Sequence, residues 1–260
     1  MKSTVTVSIV TYNSPYIFKT LDSWIDNVMN DYDISLVIHD NGSDADYLKK
    51  LEEYENKGIT IVKGTNQGFG HGHNQVLTQT TSDFFVICNP DILITKEAFE
   101  TLYDFLENSD DKVGMLTPKT VNPDGQVQYL IRRKLDVFDY MLRFVPFGFV
   151  KKMFNKRLSY YECRDLSDER QVIQYGSGAF MFTKTQVIKE IDGFDERFFM
   201  YFEDNDLCDR IRKNGNEIYY IPDATVTHFY GKESHRSLRG FKIFMKSMAQ
   251  YFNKWGWRLF

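Results

Sequence analysis

Along the first half of the chain, short apolar runs alternate with stretches in which apolar residues recur every three or four positions. Thr4 to Val10 is β-branched and apolar, as a buried strand requires. Ser14-Pro15 then supplies a cap and first turn before Ile17, Leu21, Trp24, Ile25 and Val28, which share one helical face. The step recurs: Ile34 to Ile38 precedes Tyr47 to Tyr54, Ile59 to Val62 precedes a helix through Val76, and Phe84 to Ile87 precedes Phe99 to Leu106. Short buried strands alternating with helices predict an α/β fold with a mostly parallel, Rossmann-like central sheet flanked by helices.

The second half is less regular. Pro118, Pro123-Asp124-Gly125 and the basic-aromatic stretch to Leu158 predict a connection and a surface helix, and Val172 to Phe182 is strand-like around Gly176-Ser177-Gly178. A helix follows from Glu203, with Leu207, Cys208 and Ile211 facing inward. From Leu238 the residues Phe241, Phe244, Met248, Tyr251 and Trp255 fall near one helical face, and Arg239, Lys242 and Lys246 on another. With no repeat and no flexible linker, the expected organisation is a single compact body with a C-terminal helical extension. Its expected divisions are residues 1–118, 119–231 and, over 232–260, a basic amphipathic helix.

Composition narrows the class. At 42% hydrophobic and 16% aromatic residues the 260-residue chain is too apolar for disorder. No run of 18 apolar residues occurs and no secretory pattern opens the chain, so a cytoplasmic protein that does not span a membrane is expected. Cys88, Cys163 and Cys208, odd in number and without C-x-x-C spacing, read as buried thiols. The net charge of −4 hides two acid-free basic blocks: Tyr140 to Leu158 carries Arg143, Lys151, Lys152, Lys156 and Arg157, and Ser234 to Phe260 carries Arg236, Arg239, Lys242, Lys246, Lys254 and Arg258. Such blocks on an otherwise acidic chain imply a local anionic partner, not nucleic acid. With Trp255 and Trp257 alongside, the tail reads either as a core-docking helix or as an interfacial helix on anionic lipid, and Phe144 to Phe154 shows the same mixture.

In open sheets, ligands bind beyond the carboxyl ends of the strands. Four successive strand ends carry small polar loops: Thr11-Tyr12-Asn13, Asp40-Asn41-Gly42-Ser43, the run Asn66-Gln67-Gly68-Phe69-Gly70 to Asn74, and Asn89-Pro90-Asp91. Each has a plain structural reading: an Asx-turn aspartate at Asp40, a flexible glycine turn at Gly68 to Gly72, an Asn-Pro turn. The acids of Glu203-Asp204-Asn205-Asp206 suit a helix dipole, and His228 at a strand end suits packing. The glycine run also lets backbone N–H groups approach a phosphate, but its spacing is not that of a dinucleotide fingerprint, which disfavours a nicotinamide enzyme.

These strings, with Gly176-Ser177-Gly178-Ala179, Gly193-Phe194-Asp195-Glu196-Arg197, Glu203 to Leu207 and His228, occur in the order found in the family 2 glycosyltransferases of GT-A fold, which the chain resembles from residue 5 to about 230. Within that family it looks most like bacterial rhamnosyltransferases that build O-antigens and capsular or cell-wall polysaccharides on a lipid carrier. The resemblance implies an inverting transfer in which Asp204 is the general base and Glu203 orients the acceptor. It implies that Asp40 accepts the imide N–H of uracil or thymine, with Thr11, Tyr12, Asn13, Asn41 and Gly42 around base and ribose, and Asn66, Phe69, Gly70 and Asn74 toward the diphosphate. Asp91 and His228 would hold Mn²⁺ or Mg²⁺; the family usually has aspartate where Asn89 stands. The implied partners are a dTDP- or UDP-sugar, a polyprenyl-diphosphate-linked saccharide and, peripherally, the inner face of the plasma membrane. A UDP-sugar hexosyltransferase and a catalytically silent nucleotide-sugar binding protein remain open alternatives.

Overall fold

Val5, Val7 and Ile9 turn to one face of the first strand and are buried there against helices. On the opposite face the Ser8 hydroxyl meets the buried His73 at 2.7 Å. The same two-sided burial runs through Phe84, Val86 and Cys88 against Phe85 and Ile87, as the alternation of side chains in a doubly covered sheet demands. The protein, a computed structural model, is described for residues 2–229 and 238–260. Arg236 of the basic tail, and the side chains of Arg143 and Phe144, lie outside what is described.

The sequence-predicted strands are β1 (Val5–Thr11), β2 (Ile34–Asp40), β3 (Thr60–Lys63) and β4 (Phe84–Cys88). Their helices are α1 (Ile17–Trp24, continued by one π-helical turn), α2 (Ala45–Glu52), α3 (Phe69–Gln79) and α4 (Lys96–Glu107). The remainder comprises β5 (Ile92–Leu93), β6 (Val113–Val121), α5 (Val137–Phe144), α6 (Gly148–Met153), α7 (Asn155–Tyr161), β7 (Gln171–Ile173), β8 (Phe180–Lys184), α8 (Thr185–Glu190), α9 (Glu203–Lys213), β9 (Glu217–His228) and α10 (Leu238–Trp255). All the strands join one sheet in the order β3-β2-β1-β4-β8-β6-β9-β5, with β7 also on β9.

β3, β2, β1 and β4 are parallel neighbours, and β6 pairs parallel with β9. β8 runs antiparallel to both β4 and β6 and splices the two parallel groups into one mixed sheet. The single strand expected over Val172 to Phe182 is instead two, β7 and β8, separated by Gly176-Ser177-Gly178. Pro118, expected in a connection, lies inside β6 where its pairing with β9 shifts register; a proline is tolerated at such an irregularity because no ladder hydrogen bond is asked of it.

Long β9 carries a short strand at each end of its outer edge. β7 pairs with Tyr219 and its neighbours, and β5 pairs Ile92 with His228. The C-terminal helix follows the core-docking reading: Phe244, Ser247, Met248, Tyr251 and Phe252 are buried, while Leu238 and Phe241 at its start remain exposed. The three cysteines are free and buried. No helix among the described residues is long and apolar enough to cross a membrane.

Candidate active site

The carboxyl ends of β1 and β2 are laced together. Asn41 N–H donates to the Thr11 carbonyl (2.8 Å), Asn13 N–H to the Ser43 hydroxyl (2.9 Å) and Asp44 N–H to the Asn13 side-chain oxygen (3.1 Å). Asn13 sits in the left-handed region at φ 51° to make this turn. Thr11 is buried with its hydroxyl against Tyr47 (2.5 Å), whereas Tyr12 stands exposed above it.

Asp40 makes the turn weighed for it with one oxygen and leaves the other over. Its Oδ2 accepts Gly42 N–H and Ser43 N–H, each at 3.0 Å, which is the Asx turn. Its Oδ1 is buried and has no hydrogen-bond partner among the described residues, and neither has Oδ1 of Asn41 beside it, whose Nδ2 donates to the Gly68 carbonyl (3.3 Å). A buried acceptor without a donor costs roughly 1–3 kcal/mol, so the two can take the N–H or O–H groups of a ligand.

The glycine loop is shaped by packing against the protein. A Cβ on Gly68, whose φ is +114°, would come to 2.5 Å from the Phe199 carbonyl oxygen, and one on Gly70 to 2.6 Å from Phe194. The first N–H of α3, from Phe69, donates to that same Phe199 carbonyl (3.0 Å). Asn74 is likewise occupied: it bonds the Phe194 backbone on both sides and Glu196. Asn66 is exposed. The loop's glycines therefore admit the segment from Phe194 to Phe199, which closes over α3.

β5 carries the chain directly from Asn89-Pro90-Asp91 onto the end of β9. Phe229 N–H donates to the Asp91 carbonyl (2.9 Å), and Asp91 Oδ1 lies 3.3 Å from His228 Nε2. The far side of the ring, Nδ1, meets Gln128 Oε1 at 2.8 Å, and the Gln128 amide also donates to the His228 carbonyl (2.9 Å). That contact places the proton on Nδ1 and directs the Nε2 lone pair to the Asp91 side. Ligands about 2.1 Å from a hard divalent ion in octahedral geometry stand about 3 Å apart along an edge, so the pair fits Mn²⁺ or Mg²⁺. Among the described residues no third His, Cys, Asp or Glu joins them. Gln128 was missed in the sequence. It lies on the segment that returns alongside β6 after the Pro123-Asp124-Gly125 turn, where Val127 bridges to Val121 and Gln128 N–H donates to the Thr120 carbonyl (2.8 Å).

α9 opens from two consecutive left-handed residues, Tyr201 (φ 69°) and Phe202 (φ 67°). Such backbone costs of order 1–3 kcal/mol per residue and needs its surroundings to hold it. Phe202 is clasped by Tyr140 and by Phe244, Tyr251 and Phe252 of α10. The turn delivers Glu203 and Asp204 to the site. Asp204 accepts Gly178 N–H (3.1 Å) and Asn205 N–H (2.8 Å); a Cβ on Gly178 would press to 3.2 Å on Asp204. Burial pushes the Asp204 carboxyl above its ordinary value, against the pull of those N–H groups and of Arg132. Glu203 is driven further up, by burial first and the Asp204 charge second, and its Oε2 is buried without a partner.

Asp206, expected to serve only the helix dipole, is instead a buried hub. Arg210, Lys254 and Trp255 Nε1 all bond it, at 2.8, 2.7 and 2.7 Å. Lys254 of the basic tail is spent on this pair and on Asp195, and Arg157 on buried Asp136 and Asp139.

The family described as Glycosyltransferase like family 2 matches residues 3–250. An N-acetylglucosaminyl-diphospho-decaprenol L-rhamnosyltransferase of Mycobacterium tuberculosis is 27% identical over 241 residues, covering 88% of this chain and 76% of that protein. The rhamnosyltransferase WbbL of Escherichia coli K12 is 24% identical over 231 residues, 85% and 83% of the two chains. Among solved structures, GalNAc-T7 with UDP, GalNAc and Mn²⁺ shares the fold at a TM-score of 0.67 and 16% identity. That likeness covers 89% of this chain, which spans 44% of the GalNAc-T7 chain.

Proposed function

From the premise that this chain belongs to the glycosyltransferase like family 2, we propose that this glycosyltransferase acts with inversion, moving L-rhamnose from dTDP-rhamnose to a saccharide carried on a polyprenyl diphosphate. The observation that carries the reading is the meeting of Asp91 Oδ1 and His228 Nε2 at 3.3 Å, on a rim that also holds the unpartnered Asp40 Oδ1. The names of the two rhamnosyltransferase relatives support the sugar and, in the mycobacterial case, a diphosphate-linked acceptor.

Asp40 Oδ1 accepts the imide N–H of the pyrimidine, and Asn41 Oδ1 a further donor of the nucleoside. Asp91 and His228 would hold Mn²⁺ or Mg²⁺, whose charge offsets that developing on the departing diphosphate. Asp204, fixed by two backbone N–H groups, receives the proton of the acceptor hydroxyl. The oxygen so freed bonds to the anomeric carbon as the bond from that carbon to the diphosphate oxygen breaks, and a single displacement inverts the centre. Glu203, whose burial favours the neutral form, adds no second charge beside the base and offers a hydrogen bond to the acceptor.

The acceptor's lipid places the reaction at a membrane. Phe147, Phe149 and Met153 around α6, and Leu238 and Phe241 at the start of α10, are exposed. Exposed Lys151, Lys152, Arg239 and Lys242 alternate with them, the mixture that seats on anionic lipid.

The test is a panel of dTDP- and UDP-sugars with Mn²⁺ and a short-chain N-acetylglucosaminyl diphosphate lipid, read by mass spectrometry. Gain of one deoxyhexose from dTDP-rhamnose alone is expected. Transfer only from a UDP-sugar overturns the donor, and donor binding without any transfer makes the protein a silent binder.

A further inference from the structure

Arg132 stands beside two paired basic residues and is itself unpaired. Arg133 bonds Asp165 and Lys134 bonds Asp136, while Arg132, only 7% exposed, has no carboxylate partner among the described residues. Its Nη1 donates to the Tyr129 and Ile131 carbonyls at 2.6 and 2.7 Å, and its guanidinium lies 5.1 Å from the centre of the Tyr161 ring. A guanidinium carries five N–H donors; those on Nε and Nη2 have no protein acceptor among the described residues. Its neighbours are neutral carbonyls and a ring face, and its remaining N–H donors are not sealed off inside the protein, so they are open to an incoming anion.

The position of Arg132 says which anion. Its backbone N–H donates to the Tyr175 carbonyl (3.1 Å), and three residues on, Gly178 N–H holds the Asp204 carboxylate. One segment therefore fixes both the cation and the base. The donor's diphosphate has its own place at Asp91 and His228, on the ends of β4 and β9. We propose that Arg132 binds a phosphate of the acceptor's diphosphate, so that an acceptor anchored by its anion presents its sugar hydroxyl to Asp204. The inference rests on the diphosphate-linked acceptor read above. It adds the residue that selects such an acceptor over a neutral glycoside, by the planar fork with which arginine meets phosphate oxygens. The Arg132 charge is felt at Asp204, where it pulls the carboxyl down against burial.

The test compares wild type, Arg132→Gln, Arg132→Lys and the surface control Arg133→Gln on two acceptors that differ only in the anion. One is N-acetylglucosaminyl diphosphate with a short alkyl chain, the other the alkyl glycoside of the same sugar; dTDP affinity with Mn²⁺ is titrated in parallel. Arg132→Gln is expected to lose about tenfold or more of the kcat/KM preference for the diphosphate acceptor, mainly through KM, the weight of a charge-assisted hydrogen bond. Arg132→Lys keeps part of the preference, Arg133→Gln all of it, and dTDP affinity holds throughout. An unchanged preference in Arg132→Gln overturns the proposal, and so does a loss of dTDP affinity, which would assign the guanidinium to the donor. If Arg132→Gln does not fold, Arg132→Lys decides: a preference equal to wild type overturns the assignment. A wild type that serves both acceptors equally well overturns the diphosphate-linked acceptor itself, whereas a wild-type preference that survives in every variant removes Arg132 alone.

Discussion

Asp204 and Glu203 are adjacent carboxyls with different surroundings, and the roles proposed for them differ accordingly. Asp204 keeps two N–H donors against burial, and Glu203 has none on Oε2. Asp204→Asn retains the volume but cannot take the acceptor proton, so transfer should fall by about 10²–10⁴ with dTDP affinity near wild type; normal turnover would place the base elsewhere. In the wild type the acidic limb of kcat should lie above the ordinary aspartate value of 3.8, because the raised carboxyl must ionise before it can act. For Glu203 the folded state holds the proton more tightly than the unfolded one. Its contribution to stability is therefore complete below the ordinary value of 4.5 and is lost as pH rises toward the raised folded value. Urea midpoints of Glu203→Gln against wild type should diverge in favour of the variant as pH rises from 4.5 to 8. A pH-independent difference would show that Glu203 is not the strained acid.

At the scale of elements, α10 supports the left-handed turn at Tyr201 and Phe202 more than it presents a basic face. Phe244, Tyr251 and Phe252 pack on Phe202, the Ser247 hydroxyl bonds the Met200 carbonyl (2.7 Å), and Lys254 and Trp255 reach Asp206. Asp206→Asn weakens a buried carboxylate shared by two cations, and thermal or urea unfolding should register a loss of about 3 kcal/mol or more. A loss of only ~0.3–1 kcal/mol would return Asp206 to a dipole role. The segment returning alongside β6 has a comparable duty, since its Gln128 holds the His228 ring. Gln128→Leu should weaken Mn²⁺ binding, read by titration in the presence of dTDP, by about 10–100-fold, with the fold intact by circular dichroism. Unaltered Mn²⁺ affinity would leave Gln128 with packing alone.

For the molecule as a whole, the proposed membrane encounter rests on the exposed aromatic and basic residues of α6 and of the start of α10. Each Lys or Arg near an anionic surface contributes roughly 1 kcal/mol, screened by salt. Sedimentation with phosphatidylserine-containing vesicles should exceed that with neutral ones, and should drop when Lys151, Lys152, Arg239 and Lys242 are all changed to glutamine. Equal binding to both vesicle types would exclude the electrostatic attachment. Lys254 and Arg157 are not part of that set, because buried carboxylates hold them.

The elements of the first half, and the loops at their ends, were legible in the sequence because a period of two or of 3.6 residues is written locally: Thr4 to Val10 and Phe84 to Ile87 read as buried strands, and they are. The loops at Asp40 and Asp91 followed, since a strand's carboxyl end is known once the strand is. The alternation of strands and helices gave the parallel direction of the first four strands, but the direction and partners of the later ones were not legible, because hydrogen-bond pairing between distant segments leaves no local period. Only the fold reversed β8, carried Pro118 into β6, and ran β9 back to β5 so that His228 meets Asp91. Whether an apolar stripe beside lysines faces lipid or protein was also undecided by pattern. Packing chose protein for most of α10, because the left-handed turn at Tyr201 and Phe202 requires a cover and that helix supplies it.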